Sequence, residues 1–300
     1  MKNLQQPGVQ GELITCKSMS SRDLDGILYR EGDTSTTVIH IHGSFGNFYQ
    51  NPLVRYMAQV YRDRGINLLS VNTSCHDGIS EGYGPNGNFA YIGGGISPFG
   101  ECVSDIAGAI EYVKPFSRKT VLQGHSLGCD RVVHFLIKTK AKHDFILLSP
   151  CDSYQLQCSW ISPETVEQQI ARLKQEPPSD PIFDWLPSRE YGVKGPGDWT
   201  YPIPITRPAL LSIMEGPPYR LFRLSKPAKI SLNQRALICI GGRDALQAWP
   251  HEAMFNYLRE RIKNATTLYL PDADHMIAKH ERQAATKIAD WIDLRPRTSR

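Results

Sequence analysis

Ten residues, V-L-Q-G-H-S-L-G-C-D from Val121 to Asp130, constrain the fold more than any other stretch of the chain. Thr120–Gln123 reads as a short apolar strand, and Leu127–Lys138 repeats apolar residues at helical spacing. The strand must therefore turn almost directly into the helix. Gly124 and Gly128, either side of Ser126, let neighbouring backbone come close where a Cβ would clash. A helix that starts at such a turn directs unpaired N–H groups and the positive end of its dipole back at Ser126.

The same alternation runs through most of the chain. Leu24–Arg30, Thr37–His42, Ile66–Val71, Phe145–Leu148, Ala236–Ile240 and Thr267–Leu270 read as strands. Pro52–Arg62, Glu101–Val113, Glu252–Ile262 and Glu281–Ile292 read as helices with one apolar face. Short apolar strands separated by amphipathic helices predict an α/β fold, with a mostly parallel central sheet and helices on both faces. The glycine-rich stretch from Cys75 to Gly100 reads as an irregular loop.

Residues 151–235 interrupt this rhythm. Eleven of the 21 prolines fall between Pro177 and Pro227, interleaved with aromatic residues such as Trp185, Trp199 and Tyr219. Ser162 as N-cap, Pro163 at the first helical position and Val166, Ile170 and Leu173 on one face predict a helix there. Such a segment reads as a compact cap (lid) inserted at 151–235 into a core formed by 1–150 and 236–300.

Composition narrows the class. A net charge of +4, from 34 basic and 30 acidic residues, is too small to argue for nucleic acid or a membrane surface. The seven scattered cysteines form no CxxC pair, which favours a reducing compartment. No signal-peptide pattern and no long apolar run is visible, so the expectation is a cytoplasmic protein. The Arg295–Arg300 tail reads as a frayed end. No metal-ligand spacing, Walker loop or dinucleotide fingerprint occurs, and no cofactor is expected.

The chemistry concentrates on Ser126. G-H-S-L-G fits G-x-S-x-G, placed between strand and helix as a nucleophile requires. A serine hydroxyl attacks only when a base takes its proton. His275, in L-P-D-A-D-H-M after the last strand, stands where such a base comes in chain order. The base needs a carboxylate to fix its tautomer. Asp244, after A-L-I-C-I-G-G-R, is the first candidate, and Asp152, in L-L-S-P-C-D, is the rival. The H-G pair of I-H-I-H-G-S-F, His42 and Gly43, ends a strand. It suggests that the backbone N–H of Ser44, with that of Leu127, forms an oxyanion hole.

With Ser126, Asp244, His275 and His42-Gly43 in this order, the chain resembles the α/β-hydrolase superfamily. The segments L-D-G-I-L-Y, S-P-F-G-E-C-V-S-D-I-A-G-A-I-E-Y and V-L-Q-G-H-S-L-G-C-D-R-V-V are similar to a branch containing uncharacterised bacterial hydrolases and fungal siderophore esterases. Many members read D-x-R-G-x-G after the fourth strand, where this chain has N-T-S-C-H-D-G. The resemblance implies a serine hydrolase working through an acyl-enzyme on Ser126, without a metal.

Aromatic residues in the cap and glycine-rich loop favour a bulky, partly apolar ester, with Phe45, His125 and Trp185 as candidate substrate contacts. A thioesterase or acyltransferase acting on a tethered acyl chain is the second reading; an amidase or a non-catalytic binding protein is a weaker one. Residues 206–235 carry six basic side chains against one acid, Glu215. This is a solvated basic face or an attraction for an acidic carrier protein or a carboxylated substrate.

Overall fold

The structure, a computed structural model, describes residues 9–30, 36–83, 86–160, 162–175, 183–186 and 203–294. Strands are β1 (Glu12–Lys17), β2 (Asp23–Tyr29), β3 (Thr36–Ile41), β4 (Ile66–Val71), β5 (Ser80–Tyr83), β6 (Phe89–Ile92), β7 (Lys119–His125), β8 (Asp144–Leu148), β9 (Phe183–Leu186), β10 (Ile203–Thr206), β11 (Leu232–Gly241) and β12 (Ile262–Leu270). Helices are α1 (Pro52–Arg62), α2 (Cys102–Val113), α3 (Leu127–Thr139), α4 (Ser153–Trp160), α5 (Pro163–Gln175), α6 (Arg207–Met214), α7 (His251–Arg261) and α8 (Glu281–Asp293).

Eight strands form one sheet in the order β1-β2-β4-β3-β7-β8-β11-β12. β1 and β2 pair antiparallel, β2 joins β4 antiparallel, and the remaining neighbours are parallel. Successive residues of the central strands point to opposite faces. Val38, Leu68, Val121, Ile146 and Leu237 therefore pack with α1 and α8, around Leu53, Met57, Ile288 and Trp291. Ile39, Leu69, Leu122, Leu147 and Ile238 pack with α2, α3 and α7, around Ile106, Val132, Phe135 and Phe255. Two buried faces explain why these strands read as near-continuous apolar runs.

The sequence reading missed β1, which pairs along its whole length with β2 at the sheet edge, with Glu12 opposite Leu28 and Lys17 opposite Asp23. Only Ile14 and Cys16 of β1 are buried, so its polar alternate positions hide the strand. The stretch from Cys75 to Gly100 is not wholly irregular either. It contains an antiparallel hairpin of β5 and β6, with Ser80 opposite Ile92 and Tyr83 opposite Phe89.

Between β8 and β11 the chain leaves the sheet. Tyr154, Val166, Leu173, Ile205, Leu210 and Met214 form a separate apolar cluster there. Ser162 caps α5, its Oγ accepting from Thr165 N–H at 3.2 Å. By Leu221 and Phe222 the chain has rejoined the main core. Two hydrogen bonds tie the excursion to the glycine-rich loop: Thr206 N–H to the Gly95 carbonyl at 2.6 Å, and Phe99 N–H to Ser212 Oγ at 2.8 Å. Most of the proline-rich stretch and the Arg295–Arg300 tail lie outside the described residues. All seven cysteines are free. Among the described residues, no helix is long and apolar enough to cross a membrane.

Candidate active site

The parallel strands aim their carboxyl ends at one edge, and the candidate residues follow four of those ends. His42 and Gly43 follow β3, Ser126 follows β7, Asp244 follows β11 and His275 follows β12. The β3–β7 register sets Ile41 opposite Gly124, which brings the first two turns together. A Cβ on Gly43 would stand 2.9 Å from the Ser126 Cβ and 3.4 Å from its Oγ.

Ser126 has φ 55° and ψ −127°, a left-handed conformation that a non-glycine residue holds only under constraint. Its N–H donates to the Leu148 carbonyl at 2.9 Å, and its own carbonyl accepts from Cys129 N–H at 2.8 Å. The two flanking glycines are required by contact distance. A Cβ at Gly124 would lie 2.2 Å from the Gly128 carbonyl oxygen, and one at Gly128 would lie 2.2 Å from that of Ile41. Helix α3 is thereby pressed against β3 and β7, with Leu127 as its first residue, whose N–H has no partner within the helix.

His275 Nδ1 lies 2.9 Å from Asp244 Oδ1 and 3.0 Å from Oδ2. The Asp244 side chain is wholly buried. Leu246 N–H donates to its Oδ1 at 2.9 Å and the Gln247 amide to its Oδ2 at 3.3 Å, so the carboxylate is fixed from both sides. Asp152, the rival, is committed elsewhere. Its Oδ1 accepts from Gln155 N–H, and its Oδ2 from Leu224 N–H and Trp249 Nε1–H, each at 2.9 Å.

The loop bearing His275 is itself tethered. His125 Nε2–H and Ser149 Oγ–H both donate to the His275 carbonyl, each at 2.9 Å. Burial, with His275 beside it, pulls the His125 pKa down to about 4, so its ring is neutral at pH 7. Ser149 holds a left-handed φ of 52° at the end of β8.

The H-G turn is pinned from behind. Thr73 N–H donates to His42 Nε2 at 3.0 Å, which leaves the proton on Nδ1 to bond the Gly43 carbonyl at 2.9 Å. Arg131, five residues beyond Ser126 on α3 and 1% exposed, directs Nη1 at the carbonyls of His42 (2.7 Å) and Gly43 (3.1 Å). Burial and the Arg131 charge hold His42 well below the usual histidine range.

These groups border one cavity of about 390 Å³. Ser44, Phe45, Ser126, Leu127, His125 and His275 line it, and Leu156, Leu210 and Ile213 from the excursion after β8 enclose its far side. Phe45, at φ 50°, sits where a Cβ on Gly94 would be 2.8 Å from its ring. Trp185 belongs to β9, but its side chain lies outside the described residues. Arg235, counted among the basic residues of 206–235, lies toward the opposite end of β11, stacked over Trp291 and 3.5 Å from Asp144.

Sequence reasoning missed the supporting groups: Arg131, Ser149, Thr73 and Gln247. Arg131 carried a usable signal, because it and Asp130 place two adjacent charges in the first turns of a largely apolar helix directly after the G-x-S-x-G motif. The others are ordinary polar residues in turns.

No protein-family model matches the chain, and no curated protein matches it by sequence. Solved structures do match by shape. The α/β-hydrolase domain-containing protein 10 from mouse aligns with TM-score 0.65 at 18% identity, covering 94% of this chain and 98% of its own. Est1E from Butyrivibrio proteoclasticus, bound to ferulic acid, aligns with TM-score 0.61 at 15% identity, covering 93% and 98%. The Pyrococcus furiosus esterase Pf2001 aligns with TM-score 0.55 at 14% identity, covering 95% and 91%. The chain has the α/β-hydrolase fold, as its eight-stranded, mostly parallel sheet and flanking helices require.

Proposed function

We propose that the protein is a serine hydrolase that cleaves a carboxylic ester of a bulky, partly apolar molecule. The contact between Asp244 and His275, whose ring lines the same cavity as Ser126 on its strained turn, carries this reading. Asp244 accepts the Nδ1 proton and leaves Nε2 free to act as base. Ser126 Oγ attacks the ester carbonyl as His275 takes its proton. The tetrahedral oxyanion is held by the N–H groups of Ser44 and Leu127. Collapse expels the alcohol, protonated by His275, and leaves an acyl-enzyme on Ser126. Water then attacks this ester, again with His275 as base, and frees the acid.

The excursion at 151–235 acts as the cap: Leu156, Leu210 and Ile213 supply apolar wall opposite the nucleophile, suiting a substrate with a sizeable hydrocarbon part. Est1E, described with ferulic acid bound to it, and Pf2001, described as an esterase, share the fold, which supports ester chemistry here.

A fluorophosphonate probe should label the wild type and leave Ser126→Ala unlabelled. Steady-state hydrolysis of p-nitrophenyl esters, set against acyl thioesters of the same chain length, assigns the linkage. Faster turnover of the thioesters would replace ester hydrolysis with thioester chemistry, and absence of labelling would reject the nucleophile.

A further inference from the structure

Among the described residues lining the cavity, Arg131 is the one Lys, Arg, Asp or Glu. A buried guanidinium is ordinarily paired with a carboxylate. Arg131 has no such pair. Its Nη1 rests on two backbone carbonyls, and its Nε is buried without a hydrogen-bond partner. The adjacent Asp130 makes no ion pair with it: both Asp130 oxygens are buried and unbonded, and burial pushes its pKa up well above the carboxylate range. Of the other buried acids nearby, Asp105 spends its two oxygens on Ser74 N–H (2.7 Å) and Ser74 Oγ–H (2.9 Å), and Asp152 spends its own on the three N–H groups already named. The first turns of α3 add further positive potential.

A second orphan donor lines the same cavity. Gln157, on α4, is 5% exposed, and its Nε2 is buried with no partner. A buried donor without a partner loses the hydrogen bonds it made to water, and the loss is greater for a charged group. Two such donors from different elements, one of them a cation, describe a receptor for an anionic acceptor.

We propose that the substrate carries a carboxylate in addition to its scissile ester, and that Arg131 and Gln157 hold it within the cavity. This deepens the serine-hydrolase reading by naming the substrate class, while its binding half is independent of turnover. The surrounding apolar wall takes the hydrocarbon between the two polar ends. The reaction would then be fed by partial esterification of a diacid, or of a hydroxy acid through its hydroxyl, and would release the free acid.

Two measurements test it. The first is calorimetric titration of Ser126→Ala with the monomethyl esters of straight-chain diacids of four to nine carbons, each against the neutral dimethyl ester of equal length. The charged monoester is expected to bind at least tenfold more tightly at the length that reaches Arg131. The second is kcat/KM for p-nitrophenyl monoesters of those diacids against neutral acyl esters of equal length, and for 4-carboxyphenyl against phenyl hexanoate. At least one charged series should be preferred about tenfold. Arg131→Met should erase the preference, and Gln157→Glu, which places a like charge at the site, should reverse it. Should Arg131→Met fail to fold, Gln157→Glu and the wild-type pairs still decide.

Equal or tighter binding of the neutral partner at every length overturns the proposal. So does an Arg131→Met enzyme that loses the same factor on charged and neutral esters, which would make Arg131 a positioning residue for the H-G turn alone. Preference for the charged monoester in binding, without hydrolysis of any ester by the wild type, would instead reject the serine-hydrolase reading and leave the carboxylate site standing.

Discussion

Both carboxylate oxygens of Asp244 lie within hydrogen-bonding distance of His275 Nδ1, at 2.9 and 3.0 Å, and the Asp244 side chain is wholly shielded from water. One proton on Nδ1 thus has two acceptors, and the imidazolium of the proposed attack would meet an unscreened negative charge. Asp244→Asn keeps the shape but offers an N–H where an acceptor is needed, which favours the wrong histidine tautomer. The variant should lose about 10³–10⁴-fold in kcat with little change in KM, measured at saturating p-nitrophenyl ester. A loss below tenfold would remove Asp244 from the reaction.

Asp152 should behave differently, although it follows the neighbouring strand at the same edge of the sheet. Its oxygens accept three N–H groups, from Gln155, Leu224 and Trp249, and so tie α4, the chain before β11 and the loop before α7 together. Asn retains one acceptor oxygen and sets an N–H₂ against donors. Asp152→Asn should lower unfolding free energy by about 1–3 kcal/mol in urea titrations, while kcat falls less than tenfold in the folded fraction. An equal loss in the two Asn variants would mean that the acid had been misassigned.

His125 occupies the middle of the G-x-S-x-G motif, yet its ring bonds the loop of His275. Together with Ser149 it holds the His275 carbonyl, and removal of either donor should loosen the loop that the proposed proton transfer relies on. His125→Phe fills the volume without donating. Catalytic groups tolerate displacements of only about 0.5 Å, so kcat should fall roughly tenfold or more. Fluorophosphonate labelling should slow by the same factor, since it shares the Ser126–His275 step. Unchanged labelling with a raised KM would make His125 a substrate contact after all.

What the sequence reveals follows from where the constraint is local. Ser126 could be placed from ten residues because strand, turn, glycine spacing and helix are contiguous there. Asp244 and His275 were legible as strand-end residues in chain order, since the parallel sheet delivers those ends to one edge. Chain order put Asp244 ahead of Asp152 but left the rival open, because both follow strands. The spatial partners of their oxygens, His275 Nδ1 for Asp244 and three N–H groups for Asp152, support the same ranking and could not be read from the sequence. Arg131 looked like one more polar residue because its acceptors, the carbonyls of His42 and Gly43, lie 89 and 88 positions away. The hairpin of β5 and β6 escaped because Tyr83, Phe89 and Tyr91 stay exposed, so no buried face set an alternating pattern.

His40 gives a pH dependence whose sign can be worked out. It sits fully buried in β3, its Nδ1 accepting from the Gln123 amide at 2.8 Å. Burial lowers its pKa to about 3, against an ordinary histidine value of 6.5 in the unfolded chain. Between those values the unfolded chain binds a proton that the folded one refuses, so unfolding is favoured as pH falls. The contribution is fully retained above pH 6.5, shrinks steadily below it, and reaches its limit near pH 3. His40→Gln cannot titrate and lacks this dependence. The difference in unfolding free energy, wild type minus His40→Gln, should therefore be flat above pH 6.5 and drop by on the order of 3 kcal/mol by pH 4. Urea titrations of both proteins at half-unit intervals measure it directly. A difference that stays constant from pH 7 to 4 would mean that His40 is protonated in the folded protein, with a partner other than Gln123 accepting from it.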